Sequence, residues 1–523
     1  MQYCKKGIVM SGSVIVILAT IAAYLISVLL IGFKFAQVSG DSTSDFYLGG
    51  RSLGPFVTAM SAEASDMSSY LLMGLPGLAY LSGLADVGWT VIGLALGTYL
   101  NWLLTARRLR RYTELTGAFT LPQFFSKRYH DEKNILSTIA AVVIIIFFIP
   151  YTASGFAACG KLFHSLFGID YTVAMVVSAV VIVAYTAAGG FLAASTTDFI
   201  QSIIMTIAIF FVLVYSTIQA GGVQVVLDHA RSLPGYFTLD ASYVADSHKS
   251  APYGGLTIIS TMAWGLGYFG MPHILLRFMA IEDAYKLKVS RRVASVWALV
   301  AMLVAVGIGV VGRALSAAGR VSELSGSETE TIIVRIADML SKHGILPAVM
   351  AGLILAGILA STMSTSDSQL LAASSSVTND ILHEACHLNL SKKTGILVAR
   401  ISVILIAVLG VFLARDPQSS VFGIVSFAWA GFGAGFGPLV ICSLYWKRTT
   451  LQGAIAGMIS GGATIFIWKY LVKPLGGIWG IYELLPAFLV SLCFIIVVSL
   501  CTKEPSEAIE EEFDRAKSRK PLN

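Results

Sequence analysis

A charge-free apolar run, Val14–Ile31 (VIVILATIAAYLISVLLI), constrains this chain more than any other feature, because similar runs recur almost to its end. About 20 helical residues cross the hydrocarbon core of a bilayer. A β-barrel would instead show alternating strands of about 10 residues, and no such alternation occurs. Only 13% of the residues are charged and mean hydropathy is +0.77, whereas soluble domains carry roughly a quarter charged residues. The expectation is an all-α integral membrane protein.

Reading apolar runs between polar breaks gives about thirteen transmembrane helices: 12–36, 55–80, 85–105, 135–164, 170–188, 190–218, 255–275, 293–316, 345–376, 395–414, 419–445, 451–472 and 480–501. The longest polar pieces, 219–254, 317–344 and the tail from Lys503, leave no room for a fused kinase or nucleotidase. A single transmembrane transporter domain is expected. It divides into a first helix and loop (12–54), a first repeat (55–218), a second repeat (255–445), two last helices (451–501) and a cytoplasmic tail (503–523).

The net charge of +6 could suggest a nucleic-acid partner, but its distribution reads as topology. Arg107, Arg108, Arg110, Arg111, Lys127, Arg128 and Lys133 follow the third span; Lys286, Lys288, Arg291 and Arg292 follow the seventh; Lys392 and Lys393 follow the ninth. Of the 36 Lys and Arg residues, 24 fall on that side and 12 on the other. Basic loops stay cytoplasmic, so the N-terminus is expected outside and the C-terminus inside. Partners are then membrane lipid and small solutes, with no nucleic acid and no required protein partner. The six cysteines are scattered without a CxxC pair, which fits neither a disulfide framework nor a zinc ribbon.

Two spans are interrupted. The second (Phe56–Gly83) has a polar centre near Ala64–Ser69, and the seventh carries WGLGYFGMP (Trp264–Pro272), where three glycines and a proline weaken the helix. They stand five spans apart and enter from opposite sides. Broken helices at corresponding positions of two five-helix halves point to an inverted-repeat transporter with its site near the midplane.

An ionised group near the bilayer centre costs at least ~3 kcal/mol by insertion scales. Glu63 and Asp66 in the second span, Asp198 in the sixth and Asp367 in the ninth therefore need reasons. Asp66 reads as an oxygen ligand or gate beside a cation, against a carboxylate hydrogen-bonded across helices. Glu63 could face a watery vestibule. Asp198 stands early in its span, so a helix-start role competes with a cation role.

In LASTMSTSDSQL (Leu359–Leu370), Ser361, Ser364, Thr365 and Ser368 share one helix face. A hard cation takes oxygen ligands, and carbonyls around Ala64–Met67 with the hydroxyls of Ser364 and Thr365 would supply them. The competing reading is a small-residue packing face. Trp264, Tyr268 and Pro272, at i, i+4 and i+8, with Tyr151 nearby in sequence to Pro150, suit a small apolar side chain or ring. An amino-acid carboxylate would sit at a half-helix N-terminus.

Some matches fail on context. Gly265-Leu-Gly267-Tyr-Phe-Gly270 fits a dinucleotide motif without a βαβ unit. His383-Glu384-Ala-Cys-His387 fits H-E-x-x-H, the basis of a remote intramembrane zinc-protease alternative, but no third ligand is evident. Gly453, Gly457 and Gly461 form a small-residue packing seam.

SDMS (Ser65–Ser68) followed by LLMGLPG, AWGLGYFGMPHILLRFMA (Ala263–Ala280), MSTSDSQLL (Met363–Leu371) and SFAWAGFGAGFGP (Ser426–Pro438) together resemble the sodium/solute symporter family, closest to its bacterial proline-transporting branch. The resemblance covers nearly the whole chain. It implies a LeuT-type inverted-repeat (5+5) core, no enzyme activity, no cofactor, and Na+ as the coupling ion for uptake of L-proline or another small amino acid or carboxylate.

Carried over by motif, it implies sodium ligation by the carbonyls of Ala64, Met67 and Ser361 and the hydroxyls of Ser364 and Thr365, with Asp66 important for it. Proline binding falls to Tyr151, Trp264, Tyr268 and Pro272, with Ser68 nearby. A second sodium, found in some members, would take Asp198, Ser364, Asp367 and Ser368. Two positions depart from the family pattern: Glu63 replaces a small residue and Ser69 a glycine.

Overall fold

In a bilayer each backbone N–H must find its partner within its own segment, so helices form along the apolar runs. The computed structural model describes residues 12–36, 43–388 and 391–518. Cys4, part of the 12–54 segment and the last five residues of the tail lie outside the described residues.

The helices are α1 (Gly12–Ala36), α2 (Pro55–Ser69), α3 (Leu75–Ser82), α4 (Leu84–Asn101), α5 (Ile135–Phe167), α6 (Tyr171–Gln219), α7 (Gly255–Met262) and α8 (Pro272–Ala280). They continue as α9 (Leu287–Ala317), α10 (Ile332–Ser341), α11 (Ile345–Ser375), α12 (Lys392–Leu413), α13 (Val421–Tyr445), α14 (Leu451–Ile467), α15 (Leu484–Cys501) and α16 (Glu507–Lys517). Shorter helical turns and one hairpin, β1 (Ala241–Val244) with β2 (Lys249–Pro252), connect them. Among the described residues, 10 helices are long and apolar enough to cross a membrane. The other expected spans are the two broken ones and a shorter apolar helix, Tyr171–Ala184.

Each interruption has a local cause. Ser68 takes φ 47° and ψ −168°, a sparsely populated conformation for a non-glycine residue, and a π-turn over Tyr70–Gly74 leads into α3. In the second broken span, Ala263–Gly270 is a 3₁₀ segment, Met271 is extended and Pro272 opens α8, where proline's missing N–H costs nothing. Gly190, at φ 69°, divides α6 into the two expected spans.

The core sits around α11, which packs on α1, α2, α5 and α6. The 3₁₀ segment lies between α4 and α13. A Cβ on Gly97 would run into the Gly265 backbone and one on Gly265 into the Gly93 backbone, so this contact admits only glycine. The Gly453/Gly457/Gly461 seam faces Ser499, Ile495, Ser491 and Ala434, closing α14 on α15 and α13.

At one end of the bundle, arginines tie loops together. Arg51 donates to the carbonyls of Thr113, Ala118 and Met279, each at 2.8 Å. Arg110 reaches the Ile281 carbonyl at 2.8 Å and Arg128 the Ser443 carbonyl at 3.0 Å. The tail helix α16 docks at this same end, with Phe513 buried against Arg128. Burial, with crowding by Arg110, pulls the Arg51 pKa down to about 10. Glu384 of the H-E-x-x-H match also lies here and accepts from Gln123 at 2.5 Å, with Asn134 donating to its carbonyl at 3.1 Å.

Candidate functional site

The break at Ser68 leaves α2 carbonyls without helical partners ahead of them, and α11 brings hydroxyls to meet them. Ser364 Oγ donates to the Ala64 carbonyl at 2.9 Å and lies 3.3 Å from the Ser361 carbonyl. Thr365 Oγ1 donates to the same Ser361 carbonyl at 3.0 Å. Four of the five oxygens expected to hold sodium thus meet at the α2–α11 contact, all buried. Each hydroxyl keeps lone pairs for a cation. The fifth, the Met67 carbonyl, accepts from the Tyr70 N–H.

Asp66 faces the other broken span. Its Oδ2 accepts from the Tyr268 hydroxyl at 2.6 Å, and its backbone carbonyl from the Tyr151 hydroxyl at 3.4 Å. These groups line a cavity of about 250 Å³ with Met67, Tyr70, Leu94, Trp264, Val425 and Trp429. Trp264 stacks against Tyr70 (centroids 5.6 Å apart) and Tyr482 (5.3 Å), while Trp429 Nε1 donates to the Trp264 carbonyl at 2.8 Å. The wall is therefore aromatic and rigid, with one carboxylate at its edge.

Ser68 is buried at the break and accepts from the Tyr70 N–H at 3.1 Å. Its side chain also meets Tyr151. Pro272 is not brought to this cavity. It lines a separate one with Tyr47, Phe119, Phe191 and Ser368. The i, i+4, i+8 spacing presumed 100° per residue; the 3₁₀ turns and the extended Met271 remove that periodicity.

Asp198 and Asp367, expected around a second sodium with Ser364 and Ser368, are fully buried. Beside them stands Arg277 of α8, whose Nη2 donates to Asp198 Oδ2 at 3.0 Å and to Ser368 Oγ at 2.5 Å. Arg277 was missed by sequence reasoning, as were Tyr70, Leu94, Val425 and Trp429. Arg277 and Trp429 lie inside quoted motifs, so the signal was available: an arginine in a membrane span and a tryptophan among glycines.

The two departures also have places. Glu63 Oε1 accepts from Thr98 Oγ1 at 3.2 Å and Trp102 Nε1 at 3.1 Å, while Ser69 is buried. Asn101, one helical turn from Thr98, donates to the Tyr268 carbonyl at 2.9 Å. It holds the 3₁₀ segment against α4.

Comparisons with known proteins bear on the family and the fold. A model of the sodium:solute symporter family matches residues 46–461. A sodium/proline symporter of Staphylococcus aureus is 40% identical over 504 residues, which is 95% of this chain and 95% of that one. The one from S. aureus strain USA300 matches equally, at 40% over 504 residues and 95% of each chain.

Among solved structures, the substrate-bound outward-open state of a Na+-coupled sialic acid symporter aligns with a TM-score of 0.76 at 17% identity, covering 94% of this chain and 99% of that one. A nucleobase-cation-symport-1 family transporter in a closed conformation aligns at 0.54 and 13%, covering 90% and 98%. Identities this low speak to the fold, which is the LeuT-type fold that the family resemblance implied. With the family model spanning most of its length, this chain belongs to the sodium:solute symporter family and is a multi-pass membrane transporter, not an enzyme.

Proposed function

We propose that the protein couples inward sodium movement to uptake of L-proline across a bacterial inner membrane, by alternating access between two inverted repeats, 55–218 and 255–445. The N-terminus is outside and the tail helix is cytoplasmic, in keeping with the arginine-rich end described above. The observation that carries the reading is the junction of two half-sites. The oxygens of Ala64, Ser361, Ser364 and Thr365 meet on one side of the α2 break, and the Tyr151–Trp264–Tyr268 cavity opens on the other.

Sodium at the α2–α11 contact would hold the broken span in the shape that completes the solute cavity. Because the same few residues of α2 serve both, solute binding senses the ion. At ~100 mV one charge contributes ~2.3 kcal/mol, and a tenfold sodium gradient adds ~1.4 kcal/mol. One sodium then sustains roughly a several-hundred-fold solute gradient. No nucleotide is needed. The relatives named sodium/proline symporter support proline as the solute, and the aromatic wall suits its ring.

The test is uptake of radiolabelled proline into membrane vesicles. Uptake is expected to need external sodium and to be competed by proline ahead of other amino acids and carboxylates. Undiminished accumulation with choline in place of sodium overturns the coupling; preferential competition by another solute overturns proline alone.

Gly267→Ala probes the cavity wall. The added Cβ would press into the Trp429 ring. Overpacking of this kind costs about 1–3 kcal/mol, so the half-saturating proline concentration should rise about tenfold. A proline titration of uptake at saturating sodium measures it.

A further inference from the structure

We propose that Tyr482, in the loop between the last two helices, is a positioning residue for solute capture: its ring holds the Trp264 indole in place at the cavity wall. The proposal rests on the sodium-coupled proline reading above and adds a determinant of solute affinity from outside the two repeats.

Tyr482 lies between α14 and α15, whose other ends flank Arg448, a donor to the Thr502 carbonyl at 2.8 Å. The loop is therefore at the end of the bundle away from the arginine-rich loops, which charge distribution makes the outer end. Tyr482 stands outside the lining of the solute cavity, whereas Trp264 is part of it. Three contacts fix Tyr482. Its N–H donates to Ser260 Oγ at 2.7 Å, and its hydroxyl donates to the Ser426 carbonyl at 2.6 Å. Its ring stacks on Trp264 with centroids 5.3 Å apart and an interplanar angle of 19°. Ser260 belongs to α7 and Ser426 to α13, so one residue bridges the two elements that carry Trp264 and Trp429 to the cavity. The next residue, Glu483, is buried and accepts from Lys473 Nζ at 2.9 Å, which ties the loop back on itself.

The indole depends on such an anchor. Trp264 sits in the 3₁₀ segment, and its carbonyl accepts from Trp429 Nε1. That bond fixes the backbone and leaves the side-chain torsions free. Tyr70, at 24°, and Tyr482, at 19°, are the rings most nearly parallel to the indole; Phe422 meets it at 39°, and Trp429 stands farther off at 6.3 Å. Tyr70 belongs to the first repeat and Trp264 to the second. Opening an outer path by moving one repeat against the other draws Tyr70 away. Tyr482 is bonded to α7 and α13 of the second repeat and stays with the indole. It then keeps Trp264 presented to solute arriving from outside. A site that is competent for only part of the time binds more weakly by that fraction. Loss of a stacked aromatic pair shifts such a population about three- to tenfold.

The experiment is a proline titration of uptake at saturating sodium, in proteoliposomes carrying equal amounts of folded protein. Tyr482→Leu, which keeps bulk without an aromatic face, should raise the half-saturating proline concentration about three- to tenfold and leave the maximal rate within about twofold. Tyr482→Phe, which keeps the ring, should stay within about twofold of the wild type on both. A merely structural role would lower the amount of folded protein and hence the rate, with the half-saturating concentration unmoved. Trp264→Leu should itself raise that concentration, and adding Tyr482→Leu to it should raise it no further, because Tyr482 acts through Trp264. If Tyr482→Leu does not fold, Tyr482→Met, whose flexible side chain adapts to the gap, replaces it in the same comparison. An unchanged half-saturating concentration in the folded variant overturns the proposal and leaves proline symport intact. So does a full effect that persists in the Trp264→Leu background, or Tyr482→Phe as impaired as Tyr482→Leu. A wild type whose sodium-dependent uptake proline does not saturate overturns the proline reading itself, and this proposal with it.

Discussion

Replacing Ser364 and Thr365 together by alanine is expected to raise the half-saturating sodium concentration for uptake about a hundredfold or more. Both hydroxyls sit at the contact of α11 with the broken α2, where Ser364 Oγ meets the Ala64 carbonyl at 2.9 Å and Thr365 Oγ1 the Ser361 carbonyl at 3.0 Å. A polar contact to a charged group contributes about 1.5–3 kcal/mol, and two losses of that size exceed the ~2.7 kcal/mol of a hundredfold change. Alanine is small enough to leave the packing of this buried face in place. Thr365→Ser, which retains the oxygen, should change the sodium requirement by less than about threefold. A sodium titration of uptake measures both. Unchanged sodium dependence in the double variant would remove these residues from the ion site.

Glu330→Ala should lower the stability of the protein by about 3–5 kcal/mol, read as unfolding in detergent by heat or denaturant. Glu330 is buried at the end of the bundle opposite the arginine-rich loops, and its partners converge from two parts of the chain. Oε2 accepts from Lys161 Nζ at 2.7 Å and from the Val421 N–H at 3.1 Å; Oε1 accepts from Ser420 Oγ at 2.8 Å and from the Phe422 N–H at 3.1 Å. The carboxylate thus caps the N-terminus of α13, where unpaired N–H groups and the helix dipole favour an anion. Removing it strands the Lys161 ammonium, whose side chain is 7% exposed. Adding Lys161→Met to Glu330→Ala should therefore recover part of the loss, because no buried charge is left unpaired. A double variant no more stable than the single one would show that the α13 cap, not the ion pair, carries the effect.

The hydroxyl cluster at the α2–α11 contact was legible because it obeys helical periodicity. Ser361, Ser364, Thr365 and Ser368 lie on an uninterrupted helix, so counting by threes and fours places them correctly. Pro272 failed for the converse reason: once Ala263–Gly270 winds as 3₁₀ and Met271 is extended, the same counting no longer says which residues share a face. Asp198 was legible as a buried carboxylate needing a partner, but the partner was not. Arg277 lies in another span, and nothing local in either segment signals their pairing.

The amino-acid sequence by itself determined the helical, multi-pass character of the chain and the positions of its two broken spans. Both follow from local rules: hydropathy over a window, and the backbone's need to satisfy its own hydrogen bonds in lipid. The tertiary structure alone decided which buried polar groups face one another. It set Arg277 against Asp198, Tyr268 against Asp66, and Trp429 behind Trp264. Those pairings join residues far apart in the chain, and in a medium without water each buried polar group takes the partner that packing brings to it.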